Sequence, residues 1–207
     1  MIDAESIRKA YNQRYQTCKK IAEIILDDLV GLLRDYERYE RIDRISTRAK
    51  DPERFVEKAL RLDDKANPKY ADPINEVQDQ IGARVVASYL SDIDPVTEKI
   101  KKYYRHIEEK RIVPDSYKEF SYEGRHLILF IPETKIPADL LLLDHPDFFE
   151  LQIKTLFQHA WAEAEHELGY KPSVPLDDLD KRYIAFTAAQ AWGADRIFDE
   201  VFRRTKN

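Results

Sequence analysis

From Glu150 to Lys171 the chain carries charged and amide side chains at positions that an ordinary strand followed by a helix would leave apolar, the mark of an active-site edge. Phe148 to Ile153 alternates like a half-buried strand and Thr155 follows where a helix N-cap belongs, so Glu150, Gln152 and Lys154 project from one face, which bears both signs of charge. A second group is cationic. Arg54, Lys58, Arg61 and Lys65 recur at helical spacing, with Arg48 and Lys50 just ahead of them. Such a stripe can clamp a triphosphate; alternation with Glu53, Glu57, Asp63 and Asp64 is also what a solvated helix face shows. A third group, Asp79, Gly82 and Arg84, stands at the entrance to an apolar strand, where an Asp and a Gly are also common turn devices. His159, Glu163 and His166 share a helix face, but without a His-Glu-x-x-His pattern they read as ion-pairing positions rather than a metal site.

The elements that must hold these groups are legible in outline. Residues 3–37 carry Ile21, Ile24, Ile25, Leu29, Leu32 and Leu33 at helical spacing and form one long or two short helices. Asp51-Pro52 is an N-cap followed by proline at the first helical position, opening a helix that runs to about Arg61. The stretch from Asp63 to Pro73 is a loop, Ala83 to Tyr89 a strand, Pro95 to about Ile107 a helix and Leu127 to Ile131 a short strand. The charged span between those last two is expected to be mobile. Leu176 to Arg204 is amphipathic and helical. This pattern is α+β, a small sheet flanked by helices, in a single domain over 1–207 with a core at about 44–171 and helical arms at 3–37 and 176–204.

Composition narrows the chemistry. The 207 residues can bury a real core, and a formal charge of -5 argues against a long polynucleotide track unless basic residues cluster, as they do around residues 48–65. One cysteine, Cys18, excludes an internal disulfide and a thiolate zinc site. No signal-peptide pattern or membrane-spanning apolar run is present, so no membrane partner and a cytoplasmic location are expected. Five glycines leave no glycine-rich phosphate cradle, so phosphates must be held by side chains.

The motifs together resemble the synthetase region of RelA/SpoT-like alarmone synthetases. Glu150-Leu-Gln152-Ile-Lys154-Thr155 followed by His159, Trp161, Glu165-His166, Tyr170 and Lys171 is similar to that family's signature, with Lys154 where arginine is usual. Arg48, Lys50 and Lys58 fall on its donor-nucleotide motif, Arg54 standing where serine is usual. Asp79, Gly82 and Arg84 match a third motif, and Tyr122 and His126 a fourth, in which Ser121 and Gly124 depart.

The resemblance spans residues 44–171 and implies a nucleotidyltransferase-like mixed sheet and a pyrophosphokinase of the small, synthetase-only kind. The absence of any His-Asp dipeptide agrees, because the hydrolase half of larger relatives is built around one. It implies ATP as donor, held by Arg48, Lys50, Arg54, Lys58 and Arg84; Mg²⁺ on Asp79 and Glu150; and an acceptor, GDP or GTP, bound by Tyr122, His126, Gln152, Lys154 and His159. Glu150 and Arg84 are the expected catalytic residues. His166, Tyr170 and Lys171 would buttress or touch the pocket. Two alternatives stay open: the same chemistry on the tRNA 3′ end or on adenine nucleotides, as in toxin-type members that work against an antitoxin partner, and an inactive nucleotide-binding regulator. The terminal amphipathic helices also leave room for a homo-oligomer.

Overall fold

The computed structural model describes residues 3–37, 41–114, 119–121, 123–169 and 174–206. The chain opens with α1, Ala4–Glu37, whose first turn is capped by the Asp3 carboxylate accepting from the backbone N–H groups of Glu5 and Ser6 at 2.9 Å. There follow β1 (Ile42–Ala49), α2 (Pro52–Ala59), the single turn α3 (Pro73–Glu76), β2 (Ile81–Ala87), α4 (Leu90–Tyr103), β3 (His106–Ile112), β4 (Gly124–Phe130), the single turn α5 (Ala138–Leu141), β5 (Phe148–Thr155), α6 (Leu156–Gly169) and α7 (Asp178–Lys206).

The five strands form one mixed sheet in the order β1-β2-β5-β4-β3, antiparallel throughout except for the central β2–β5 pair. Because successive side chains alternate between faces, this sheet has two distinct sides. Ala83, Val85, Ala87, Leu127, Leu129, Phe149, Leu151 and Ile153 all point to the first, where they are buried against Ile21, Ile25, Leu29 and Leu33 of α1 and Val96 and Ile100 of α4. Each of the Val, Leu, Ile and Phe side chains among them contributes about 1.5–3 kcal/mol. A second, smaller core joins Ile7 and Tyr11 at the start of α1 to Phe55, Val56 and Ala59 of α2 and to Val77. One long helix thus packs on the sheet with one half and carries α2 with the other.

Beside α4 and α6, α7 is seated by polar contacts as well as rings. Thr155 Oγ1 donates to the buried Asp195 carboxylate at 2.7 Å, the Ser91 backbone N–H donates to Asp199 at 2.8 Å, and Phe157 stacks on Phe198 with ring centroids 5.6 Å apart.

Several expectations are met, and several need correction. The first helix is one continuous element, Asp51 caps α2 by accepting from Glu53 and Arg54 N–H groups, and Thr155 and Gln158 form a reciprocal capping box at 3.1 Å in both directions. The fourth helix begins at Leu90 rather than Pro95, which lies inside it, and ends at Tyr103. Two strands are additions to the sequence reading. β1 presents mainly Arg, Ser and Thr, and β3, His-Ile-Glu-Glu-Lys-Arg-Ile, falls in the charged span expected to be mobile. Both are edge strands, paired on one side only, and edge strands are commonly charged to prevent further pairing, which hides the alternation that reveals a strand. Residues 115–118 of the same span lie outside the described residues.

Candidate active site

The open face of the sheet carries the candidate residues in register. Across the strands, Arg48 lies opposite Gly82 and Gly82 opposite Glu150; in the next row Ser46 pairs with Arg84, Arg84 with Gln152, and Gln152 with His126; Val86 is opposite Lys154. A β-carbon on Gly82 would meet only the Arg48 side chain, at 3.9 Å, so the absence of a side chain there leaves the floor open between Arg48 and Glu150.

At one end of this face Lys50, from the exit of β1, and Lys58, from α2, converge on a single oxygen of Asp79, with Nζ at 2.7 and 2.9 Å from Oδ2. Burial acts to raise the Asp79 pKa, but the two ammonium groups outweigh it and hold the carboxyl below its usual range. Asp79 Oδ1 is buried and has no protein partner. The backbone around these residues is fixed from α1. Tyr11 Oη donates to the Lys50 carbonyl at 2.8 Å while its ring stacks on Phe55 at 3.9 Å, and the Lys50 N–H donates to the Gln80 carbonyl at 2.8 Å. The buried Arg14 donates to Asp144 at 2.8 Å and to the Ile74 carbonyl at 2.6 Å, tying the approaches to β2 and β5 to the same helix.

In the middle, Glu150 shares a 2.9 Å hydrogen bond with His126 Nδ1 and accepts from Gln152 Nε2 at 3.2 Å. Burial again pushes the carboxyl up, the His126 contact brings it below the ordinary glutamate range, and the charge of Asp79 opposes that lowering. Asp79 and Glu150 line one cleft, together with Arg48, Lys50, Arg84 and Gln152. Among the described residues no three His, Cys, Asp or Glu side chains cluster closely enough to hold a metal ion alone. Two ionised carboxylates, one with a buried free oxygen, nevertheless suit a hard divalent cation that takes its other ligands from phosphate and water.

At the other end, Arg84 Nη1 lies 2.6 Å from Glu163 Oε1 and 3.3 Å from His159 Nδ1, both on α6. Burial and then the Arg84 charge lower the His159 pKa, so the ring is neutral at pH 7 and Nδ1 can accept. Lys154 is buried, and its ammonium is pushed down to about 8, first by burial and then by Arg84. Arg48, Arg54, His126 and Lys154 line a second cleft, and Arg54, Lys58 and Arg61 a third, both reached by His166.

The structure therefore brings together Arg48, Lys50, Arg54, Lys58, Asp79, Arg84, His126, Glu150, Gln152, Lys154 and His159 on one set of adjoining clefts. Lys65 instead belongs to a turn closed by Asp63. Tyr122, Tyr170 and Lys171 lie outside the described residues. Sequence reasoning missed Ser46, whose strand it did not see, and the engagement of Arg84 by Glu163; the spacing of Glu163 four residues after His159 was the available signal. It also missed Tyr11 and Arg14, indistinguishable in sequence from other helix positions.

On this α+β sheet, two carboxylates set among Lys and Arg side chains suit a polyanionic ligand such as a phosphate, with a cation between them. The sequence matches the family model described as "Region found in RelA / SpoT proteins" over residues 47–174. It is 29% identical over 175 residues to GTP pyrophosphokinase YjbM of Bacillus subtilis, covering 83% of this chain and 78% of that one. The fold is similar to that of small alarmone synthetase 1 from Bacillus subtilis bound to its product pppGpp, with a TM-score of 0.77 and 22% identity over 96% of this chain and 100% of the other. The same relative bound to AMPCPP superposes with a TM-score of 0.72 at 23% identity, over 96% of this chain and 98% of that one. The chain belongs to the RelA/SpoT family and is a transferase of its pyrophosphokinase class.

Proposed function

We propose that the chain transfers the β,γ-pyrophosphoryl group of ATP to the 3′-hydroxyl of GDP or GTP. The observation that carries this reading is the junction, on one cleft, of a Lys50–Asp79–Lys58 cluster with Glu150 held ionised beside His126. Support comes from the name of the Bacillus subtilis relative, a GTP pyrophosphokinase, and from the fold shared with a synthetase bound to pppGpp and to AMPCPP.

In this reading Arg48, Lys50, Arg54, Lys58 and Arg84 hold and neutralise the donor phosphates. Tyr122, His126, Gln152, Lys154 and His159 serve the acceptor. The acceptor 3′-oxygen bonds to the β-phosphorus while the bond from that phosphorus to the α,β-bridging oxygen breaks; AMP leaves with the electron pair. Glu150, anionic and within reach of the cleft, takes the hydroxyl proton. Asp79 and Glu150 would hold Mg²⁺, which supplies charge neutralisation on the phosphates when bound. No helix of the described residues is long and apolar enough to cross a membrane, and a cytoplasmic site of action fits nucleotide substrates.

The test is incubation with γ-labelled ATP and Mg²⁺ plus GDP, GTP, ATP or deacylated tRNA in turn. Label in the guanine nucleotide with matching AMP release is the expected result. Label only in tRNA or in adenine nucleotide would replace the acceptor and keep the chemistry; no AMP with any acceptor would overturn the reading.

A further inference from the structure

We propose that Glu163 is a built-in counter-anion that competes with the donor phosphate for Arg84 and thereby sets donor affinity. The inference rests on the donor reading of Arg84 given above. Arg84 rises from the centre of the sheet, yet the guanidinium does not face the cleft unengaged: its Nη1 is 2.6 Å from Glu163 Oε1 and 3.3 Å from His159 Nδ1.

The pair is asymmetric in the way a displaceable contact should be. The Arg84 side chain is 21% exposed and fixed in the floor, whereas that of Glu163 is 56% exposed on the surface of α6. The carboxylate can therefore swing into water at small cost, and the guanidinium cannot follow it. Arg84 also belongs to both clefts that meet at this point, one containing Asp79 and Glu150, the other containing Lys154 and Glu163. A carboxylate oxygen and a phosphate oxygen make the same charge-assisted contact to a guanidinium and repel each other when brought to it together. A phosphate that docks on the Nη1 edge of Arg84 consequently displaces Glu163.

An ordinary surface ion pair makes the opposite prediction, because there removal of Glu163 costs stability and leaves ligand affinity unchanged or lower. A half-exposed pair is worth up to about 1 kcal/mol, so release from it returns about two- to fivefold in affinity.

The experiment is calorimetric titration of Mg²⁺–ATP into the full chain, comparing the native protein with Glu163→Gln, with Arg84→Ala and with the double variant. Glu163→Gln is expected to bind ATP about two- to fivefold more tightly, and the advantage to shrink as salt is raised. In the Arg84→Ala background the same substitution is expected to give no gain. Equal or weaker ATP binding by Glu163→Gln would overturn the competition and leave the donor reading standing. A gain that persists without Arg84 would overturn it too, since the effect would then be general charge. Absence of ATP binding from every form, native included, would overturn the donor reading and this inference with it.

Discussion

The two ends of the cleft are built on different plans. The end at Lys50 and Lys58, the donor end in the proposed reading, is braced from behind: α1 supplies Tyr11 to the Lys50 carbonyl and Arg14 to the approaches of both central strands, and α2 packs on the second core. Lys50 and Lys58 share one carboxylate there, Asp79, before any ligand arrives. The acceptor residues of that reading, His126 of β4 with Gln152 and Lys154 of β5, lie toward the β4–β3 side of the sheet, where β3 is mostly exposed and its Lys101–Glu109 and Arg125–Glu109 pairs knit the surface. In the proposed reading the difference teaches that a phosphate clamp is backed by buried scaffolding, because many like charges must be held close, whereas the other side can rest on exposed edge strands.

The largest effect is expected at the junction of the two ends. Glu150→Gln should lower turnover at least about a hundredfold, the low end for a general base, with ATP binding retained in a titration. Near-normal transfer by that variant would remove β5 from the chemistry and dissolve the division into ends. Next comes a pair of substitutions that should part company. Lys58→Ala should raise the ATP requirement about tenfold with the acceptor requirement unchanged, as expected for one charge-assisted contact. Tyr122→Ala should do the reverse, by about ten- to a hundredfold for a lost base stack. Equal shifts for both substrates in steady-state kinetics would show that the ends are not separable.

A pH profile sharpens the boundary between them. Lys154, pushed down to about 8, is largely cationic at pH 7, and its charge is lost as pH rises through that value. Turnover should therefore fall about tenfold between pH 7 and pH 9. Lys154→Arg, which cannot deprotonate in that range, should flatten the profile; an unchanged profile would show that the ammonium plays no part.

The smallest effect concerns the latch behind α6. Asp195 is raised to about 6, chiefly by burial, from an ordinary value of 3.8. Its contribution to stability is complete below that ordinary value and is lost as pH rises through about 6, so at pH 8 an ionised, buried carboxylate costs on the order of 1–3 kcal/mol. Asp195→Asn keeps an acceptor for Thr155 and removes the cost. The melting temperature should rise by a few degrees at pH 8 and hardly at pH 4, and a uniform fall at both would refute this account.

The same contrast explains what could be read from the sequence. Asp51 before Pro52, Thr155 before the last motif and the apolar run of β2 are local signals, and each leads to the right element within a few residues. Arg54, Lys58 and Arg61 are close in sequence and share helix periodicity, so their common face was legible, whereas their grouping with Arg48, Lys50, Asp79 and Arg84 was expected only from the resemblance to the family's motifs. β1 and β3 were not, because an edge strand owes its existence to the neighbour it pairs with rather than to its own hydrophobicity. Tyr11 and Arg14 were invisible for a similar reason. Their partners are backbone carbonyls and side chains tens of residues away, and no spacing within α1 announces them.

The parallel pairing of β2 with β5 has a consequence for how the protein is made. β2 ends at Ala87 and β5 begins only at Phe148, so a nascent chain leaving the ribosome carries Asp79 well before Glu150 exists. During that interval β1 and α1 can cover one edge and one face of β2, but its other edge remains a row of unpaired backbone groups, a template for pairing with other chains. Closing the sheet also demands a long-range contact, the slow kind to form. The cleft is thus among the last features of the sheet to be completed, and Asp79 and Glu150 do not come to share it until β5 has been made and paired.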